Sequence, residues 1–192
     1  IILKYFGYRF PTTDTSNSLR GILNMVVVIF KINLPSFYFK KKPDENVEIF
    51  LRVVTEWGEA LSTMNPKRFF LQSFHFLREI CNYDLTGSTA GLSVFTECAS
   101  LFMWSGISFR MCQKILDYAK KSHIEDHPPS FIDFRYILKM HEFHTGKWEE
   151  DKDLESVYQT GMRIGEFWST TIHAVYSGLV CVELGKYGKL MA

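Results

Sequence analysis

Apolar residues return at every third or fourth position through eight successive stretches of this 192-residue chain. That period commits the chain to amphipathic helices, and no stretch needs a strand to explain it. Leu19, Leu23, Val26 and Phe30 open the series behind Thr15 and Ser16 as capping residues, and their helix is expected to stop before Pro35. A basic loop, Lys40 to Lys42 and Pro43, follows. Val47, Leu51, Val54, Gly58 and Leu61 form a second stripe, and Phe70, Phe74, Leu77 and Cys81 a third, with Asn65 and Pro66 between them as N-cap and first helical residue. Leu92, Phe95, Ala99 and Phe102 give a fourth. Phe109, Cys112, Leu116 and Ala119 give a fifth, which ends in the charged stretch Lys120 to Asp126 and the pair Pro128, Pro129. The sixth runs through Ile132, Tyr136, Met140 and Phe143, and the seventh through Leu154, Tyr158 and Met162. The eighth runs through Trp168, Ile172, Val175, Leu179 and Val182 in steps of 4, 3, 4 and 3.

A repeat underlies the final units. Gly106, Gly146 and Gly185 stand 40 and 39 residues apart, each with an aromatic just beyond it (Phe109, Trp148 and Tyr187), and Tyr118 and Tyr158 each fall 12 residues after their glycines. The glycine is expected to supply the positive φ that ends a helix, and the aromatic to pack the two helices of a hairpin together. A single hairpin cannot bury its own apolar face, whereas stacked hairpins can. The expected fold is therefore all-α, with antiparallel helix pairs stacked as a TPR-like right-handed superhelix. Residues 1–83 are read as N-terminal helical pairs and 84–192 as TPR-like repeats, one continuous array. The period exceeds the roughly 34 residues usual for such repeats, so linkers such as Ser122 to Ser130 absorb the excess. The opening Ile1 and Ile2 and the apolar close through Leu190 suggest an array cut from something longer.

Composition excludes several classes. With 46% hydrophobic residues the chain is too apolar to stay disordered. Its 22 basic and 21 acidic residues nearly cancel and nowhere concentrate into a nucleic-acid surface. The apolar run Ile22 to Phe30 ends at Lys31, about half a bilayer span, and no signal peptide is visible, so a cytoplasmic protein is expected. Cys81, Cys98, Cys112 and Cys181 stand far apart on apolar stripes and read as reduced core residues.

No stretch carries a recognisable active site. His141 and His144 lie at i and i+3 and could share a zinc ion, with His123, Asp126 and His127 upstream, but the zincin spacing is absent and surface histidines near a helix end explain them better. Thr86 to Gly91 is a small-residue loop without the lysine of a P-loop. It reads as a helix-ending Gly87 followed by Ser88 or Thr89 as N-cap. The acidic run Glu149, Glu150, Asp151, Asp153 and Glu155 lacks EF-hand spacing and reads as a solvated helix start. Trp57, Trp104, Trp148 and Trp168 read as anchors of helix packing.

The segments ILKYFGYRFP (Ile2 to Pro11), LSTMNPKRFFLQSFHFLREIC (Leu61 to Cys81), TAGLSVFTECASLFMWSGISFRMCQKILDYA (Thr89 to Ala119) and MRIGEFWSTTIHAVYSGLVCVELGKY (Met162 to Tyr187) resemble the C-terminal helical-repeat region of multidomain nucleotide cyclases and of STAND-class signal-transduction ATPases. The aromatic-rich version here is most similar to the tails of soluble, bicarbonate-responsive adenylyl cyclases of the type 10 kind. The resemblance implies a parent that makes cyclic AMP from ATP with magnesium. No family catalytic residue maps onto these positions, and neither a cofactor nor a metal is expected in this segment. Two functions follow: a regulatory or scaffolding tail of such an enzyme, acting on other domains of the parent, or a stand-alone adaptor that holds a protein partner, for example in a cilium or flagellum.

Overall fold

The computed structural model describes residues 6–7, 13–34, 41–122 and 124–186, apart from the side chains of Glu59 and Thr63. Expectations placed on Ile2 to Tyr5, Tyr8 to Pro11, Pro35, Lys40, His123, Tyr187 and Leu190 lie outside these residues. Eight α-helices form among them: α1 (Asp14–Asn33), α2 (Glu45–Met64), α3 (Pro66–Ile80), α4 (Thr89–Trp104), α5 (Phe109–Lys121), α6 (Pro128–Thr145), α7 (Leu154–Ile164) and α8 (Phe167–Glu183). A 3₁₀ turn, Ile124–Asp126, precedes α6, and among the described residues no strand is formed beyond an isolated bridge between Lys41 and Tyr83. The chain is all-α, with one helix for each apolar stripe. It divides into two compact units, Ile1–Cys98 and Ala99–Ala192.

In the first unit α3 packs against both α1 and α2. Asn65 caps α3 by accepting a hydrogen bond from the Arg68 N–H at 3.0 Å, and Pro66 occupies the first turn, where its missing N–H costs nothing. The second and third stripes face inward as expected: Leu51, Val54, Phe74, Leu77 and Cys81 are buried. Trp57 stands edge-on to Phe76 with ring centroids 4.8 Å apart. Thr13, ahead of the expected Thr15 and Ser16, is the N-cap of α1, and Leu34 ends that helix in extended backbone, as a residue before proline must.

The apolar stripe of α1 faces the wrong way for the reading given to it. Leu19, Leu23, Val26 and Phe30 are exposed, while Asn17, Gly21, Asn24, Val28 and Ile32 are buried. The cause is close approach: a Cβ on Gly21 would lie 2.8 Å from Leu71 Cδ2 and 3.1 Å from the Leu71 carbonyl oxygen. Around that contact Arg78 donates to Asn24 Oδ1 at 3.0 Å and Lys31 donates to the Arg78 carbonyl at 3.0 Å. Small and polar residues thus let two backbones meet where a row of leucines would hold them apart.

In the second unit α6 packs against α5, α7 and α8, and α7 against α8. Helix α4 crosses the boundary, so Gly87, Ser88, Leu92 and Phe95 belong to the first unit and Ala99 and Phe102 to the second. Ser88 and Ser108 cap α4 and α5, accepting from the N–H groups of Gly91 at 3.0 Å and Met111 at 3.2 Å. Gly87 has a left-handed backbone but sits in the loop after α3 and does not end that helix. Leu92, Phe95, Ala99 and Phe102 on α4 and Cys112, Leu116 and Ala119 on α5 are buried as their stripes require. Two stripes are displaced. On α7 the buried residues are Val157 and Gly161, with Tyr158 and Met162 exposed. On α8 the inward face is Ser169, Thr170, His173, Ser177 and Val180, with Trp168, Val175, Leu179 and Val182 exposed.

Candidate functional site

The polar inner face of α8 creates the chemistry of the second unit. Ser169, His173 and Ser177 recur every four residues and so share one side of the helix. They meet Asp133 and Arg135 from α6 and Asp151 from the segment before α7. Arg135 Nη2 lies 2.6 Å from Asp151 Oδ1 and 3.5 Å from Asp153 Oδ2. Ser177 Oγ donates to Asp151 Oδ2 at 2.9 Å, and Ser169 Oγ donates to Asp133 Oδ1 at 2.7 Å. His173, fully buried, brings Nε2 to 2.7 Å from Asp151 Oδ2. The flanking residues strap the same segment down. Lys139 Nζ binds Glu142 at 2.6 Å and the Glu149 carbonyl at 3.2 Å, and Lys186 pairs with Glu150.

Burial by itself would raise the Asp151 carboxyl, yet His173, then Arg135 and Ser177, outweigh it and hold the group well below the usual carboxylate range. Asp151 is therefore a buried anion held by a cation, a hydroxyl and an imidazole. The geometry does not make a nucleophile. In a Ser-His-Asp relay the imidazole stands between serine and carboxylate, whereas here the serine and the imidazole both address the carboxylate. Its evident work is to clamp the 149–153 segment between α6 and α8.

The other sequence candidates scatter. His141 is buried with Nε2 at 3.1 Å from the Phe109 carbonyl, and His144 Nδ1 lies 2.8 Å from the Met140 carbonyl, so both rings are turned to the helical backbone. No group of three or more His, Cys, Asp or Glu side chains positioned for a metal ion is found among the described residues. Cys81, Cys98 and Cys112 are buried and Cys181 half-buried, all as thiols. Burial pushes Cys98 up and Cys112 up to about 12, which suppresses thiolate chemistry. A cleft beside the start of α3, lined by Asp14, Asn17, Asn65, Lys67, Arg68 and Leu71, has a volume of about 70 Å³, room for water and not for a metabolite.

Gly106, Gly146 and Gly185 all take positive φ, at 66°, 71° and 69°. Gly146 and Gly185 close α6 and α8 in the same way: the N–H of the glycine returns to the carbonyl three residues back, and that of the next residue to the carbonyl five back. Gly165, which the repeat pattern missed, closes α7 at φ 86°, nearly midway between them. The aromatics are not equivalent. Phe109 sets its ring 6.2 Å from His141, Tyr118 is buried, and Trp148 donates its indole N–H to the Phe143 carbonyl at 3.0 Å. Tyr158 is exposed, and Trp104 and Trp168 are 73% and 71% exposed, so these two tryptophans do not anchor packing in the manner expected of them. Trp104 reaches Met140 Sδ at 3.1 Å through its indole N–H alone.

The acidic run also divides. Asp151 is a buried structural anion where a solvated helix start was expected, and the sequence signal that could have found it is the complementary polar stripe 169, 173, 177. Comparison with known proteins finds no similarity to a family model, a curated protein or a solved structure.

Proposed function

We propose that this chain is a non-catalytic helical-repeat scaffold, the regulatory tail segment of a multidomain soluble adenylyl cyclase whose ATP- and magnesium-dependent chemistry resides in other domains of the parent. The observation that supports a repeat scaffold is the packing of α6, α7 and α8: each helix meets its neighbour, and α6 also meets α8, while α7 closes at Gly165 between the like closures of α6 and α8. On this reading antiparallel pairs stack as a TPR-like right-handed superhelix, which would bury their faces through contacts between neighbouring helices. The cyclase parent is inferred from the resemblance of Met162 to Tyr187 and the other segments. The partners are then proteins, not nucleic acid, in keeping with the balanced charge, and no described helix is long and apolar enough to cross a membrane. The cytoplasm, or a cilium or flagellum, is the compartment this reading calls for.

The deciding experiment purifies the native full-length protein through an antibody to the segment from Lys147 to Gly165 and measures its mass and its conversion of ATP to cyclic AMP with magnesium. A species well above the 22.4 kDa of this chain that makes cyclic AMP supports the cyclase tail. An inactive species of that small mass supports the second reading, a stand-alone adaptor, which the outward apolar faces of α1 and α8 favour.

A further inference from the structure

We infer that the outward face of α1 is a self-association surface, on which a second copy of this chain packs its own α1 antiparallel to the first. The inference goes beyond the scaffold reading and does not depend on it.

The face is a seam and not a scatter of apolar residues. Leu19, Leu23, Val26 and Phe30 step by 4, 3 and 4, the spacing that keeps one line of side chains turned toward a partner helix, and Ile22 and Ile29 flank it seven residues apart. Leu19, Ile22, Leu23, Val26 and Phe30 are each between 52% and 71% exposed. The helix cannot roll to hide them. Gly21 is pressed against Leu71, Gln72 reaches Asn17, Arg78 and His75 meet Asn24, and Lys31 holds the Arg78 carbonyl, so the opposite face is pinned on α3 by contacts a rotation would break.

A second copy satisfies the seam by symmetry. A two-fold axis passing between Leu23 and Val26 sets Leu23 against Val26 and Leu19 against Phe30, each contact occurring twice, as an isologous interface requires. The seam itself carries no charge. The charged residues of the helix are Asp14, Arg20 and Lys31, and in this register Arg20 falls beside Ile29 and Lys31 beside Ser18, so no like charges oppose. The apolar surface removed from the two copies is on the order of 1,000 Å², which reaches the size a specific interface needs.

The test is sedimentation of the full chain across a concentration series. The expected result is a reversible species of twice the 22.4 kDa chain mass. The pair Leu23→Asp and Val26→Asp, on an exposed face that leaves the α3 contacts untouched, is expected to weaken association roughly 100-fold by burying unpaired charge. The pair Val175→Asp and Leu179→Asp on α8 should leave it unchanged. A chain monomeric at about 100 µM, a dimer indifferent to the α1 pair, or equal loss from both pairs would overturn the inference. A mixture of Leu23→Cys and Val26→Cys copies, oxidised in air, gives the independent check. A disulfide between unlike copies in preference to like ones supports the antiparallel register, and its absence overturns it.

Discussion

Nε2 of His173 lies 2.7 Å from Oδ2 of Asp151, while Nδ1 of the same ring, fully buried, has no hydrogen-bond partner among the described residues. The imidazole is thus placed by Asp151, and so is the guanidinium of Arg135 on the other carboxylate oxygen. Asp151→Asn keeps the shape and removes the charge, leaving a largely buried arginine without its 2.6 Å partner. The expected cost is about 3 kcal/mol, as for breaking a buried ion pair. Ser177→Ala, which removes one hydroxyl from the same carboxylate, should cost about 1 kcal/mol. Urea unfolding of the two variants should rank them in that order, and equal small effects would mean that the cluster is solvated and structurally idle.

Gly161 and Thr170 define the closest approach of α7 to α8: a Cβ on Gly161 would fall 1.8 Å from Thr170 Oγ1 and 3.0 Å from its Cβ. Glycine to alanine in an exposed helix normally stabilises. Here Gly161→Ala should destabilise by about 2 kcal/mol through overpacking, and adding Thr170→Ala should recover part of that loss by removing the clashing oxygen. Gly58, whose added Cβ would meet only Phe69 at 3.5 Å, is the control: Gly58→Ala should be neutral or stabilising by up to about 1 kcal/mol.

The number and placement of helices were legible from periodicity, because the 3.6-residue repeat and the signals at Asn65, Pro66, Ser88 and Gly146 are local properties of the chain. Which side of each helix turns inward was legible where apolar packing decides it, on α2 to α6. On α1 and α8 the rule of apolar residues inward failed, because Gly21 at Leu71 and Gly161 at Thr170 bring backbones so close that small and polar side chains must line the contact. The Asp151 cluster was hidden for the same reason. Its members come from α6, α8 and the segment before α7, and although the spacing of Ser169, His173 and Ser177 announces a polar inner face on α8, it does not say which carboxylate will meet that face.

Acid should destabilise this protein in two stages. Burial, then Arg20 and Arg78, lowers His75 from 6.5 to about 4, and burial lowers His141 as well. Between those values the unfolded chain takes up a proton that folded His75 refuses, so its contribution is present above pH 6.5 and lost as pH falls toward 4. Asp151, held below the usual carboxylate range, contributes fully above that range and loses its contribution as pH falls through it toward the lower folded value. Unfolding free energies measured from pH 7 to 4.5 should therefore fall. His75→Gln, which can still accept from Asn24, should flatten the curve by up to a tenfold change in unfolding constant per pH unit. An unchanged slope would show that His75 titrates normally in the folded chain.

The inverted stripe of α8 separates pattern from packing in a single experiment. If the sequence period alone decided burial, truncating Trp168 or Leu179 would open the core and cost several kcal/mol. Both are exposed, so Trp168→Ser and Leu179→Ser should each change stability by no more than about 0.5 kcal/mol. Ile137→Ala and Phe102→Ala, at positions with no exposure, should cost about 3 kcal/mol or more by leaving cavities. A large loss at Trp168 and none at Ile137 would mean that α8 presents its apolar face to the rest of its unit in solution. The Asp151 cluster would then have to open, and the acid limb assigned to that carboxylate would vanish with it.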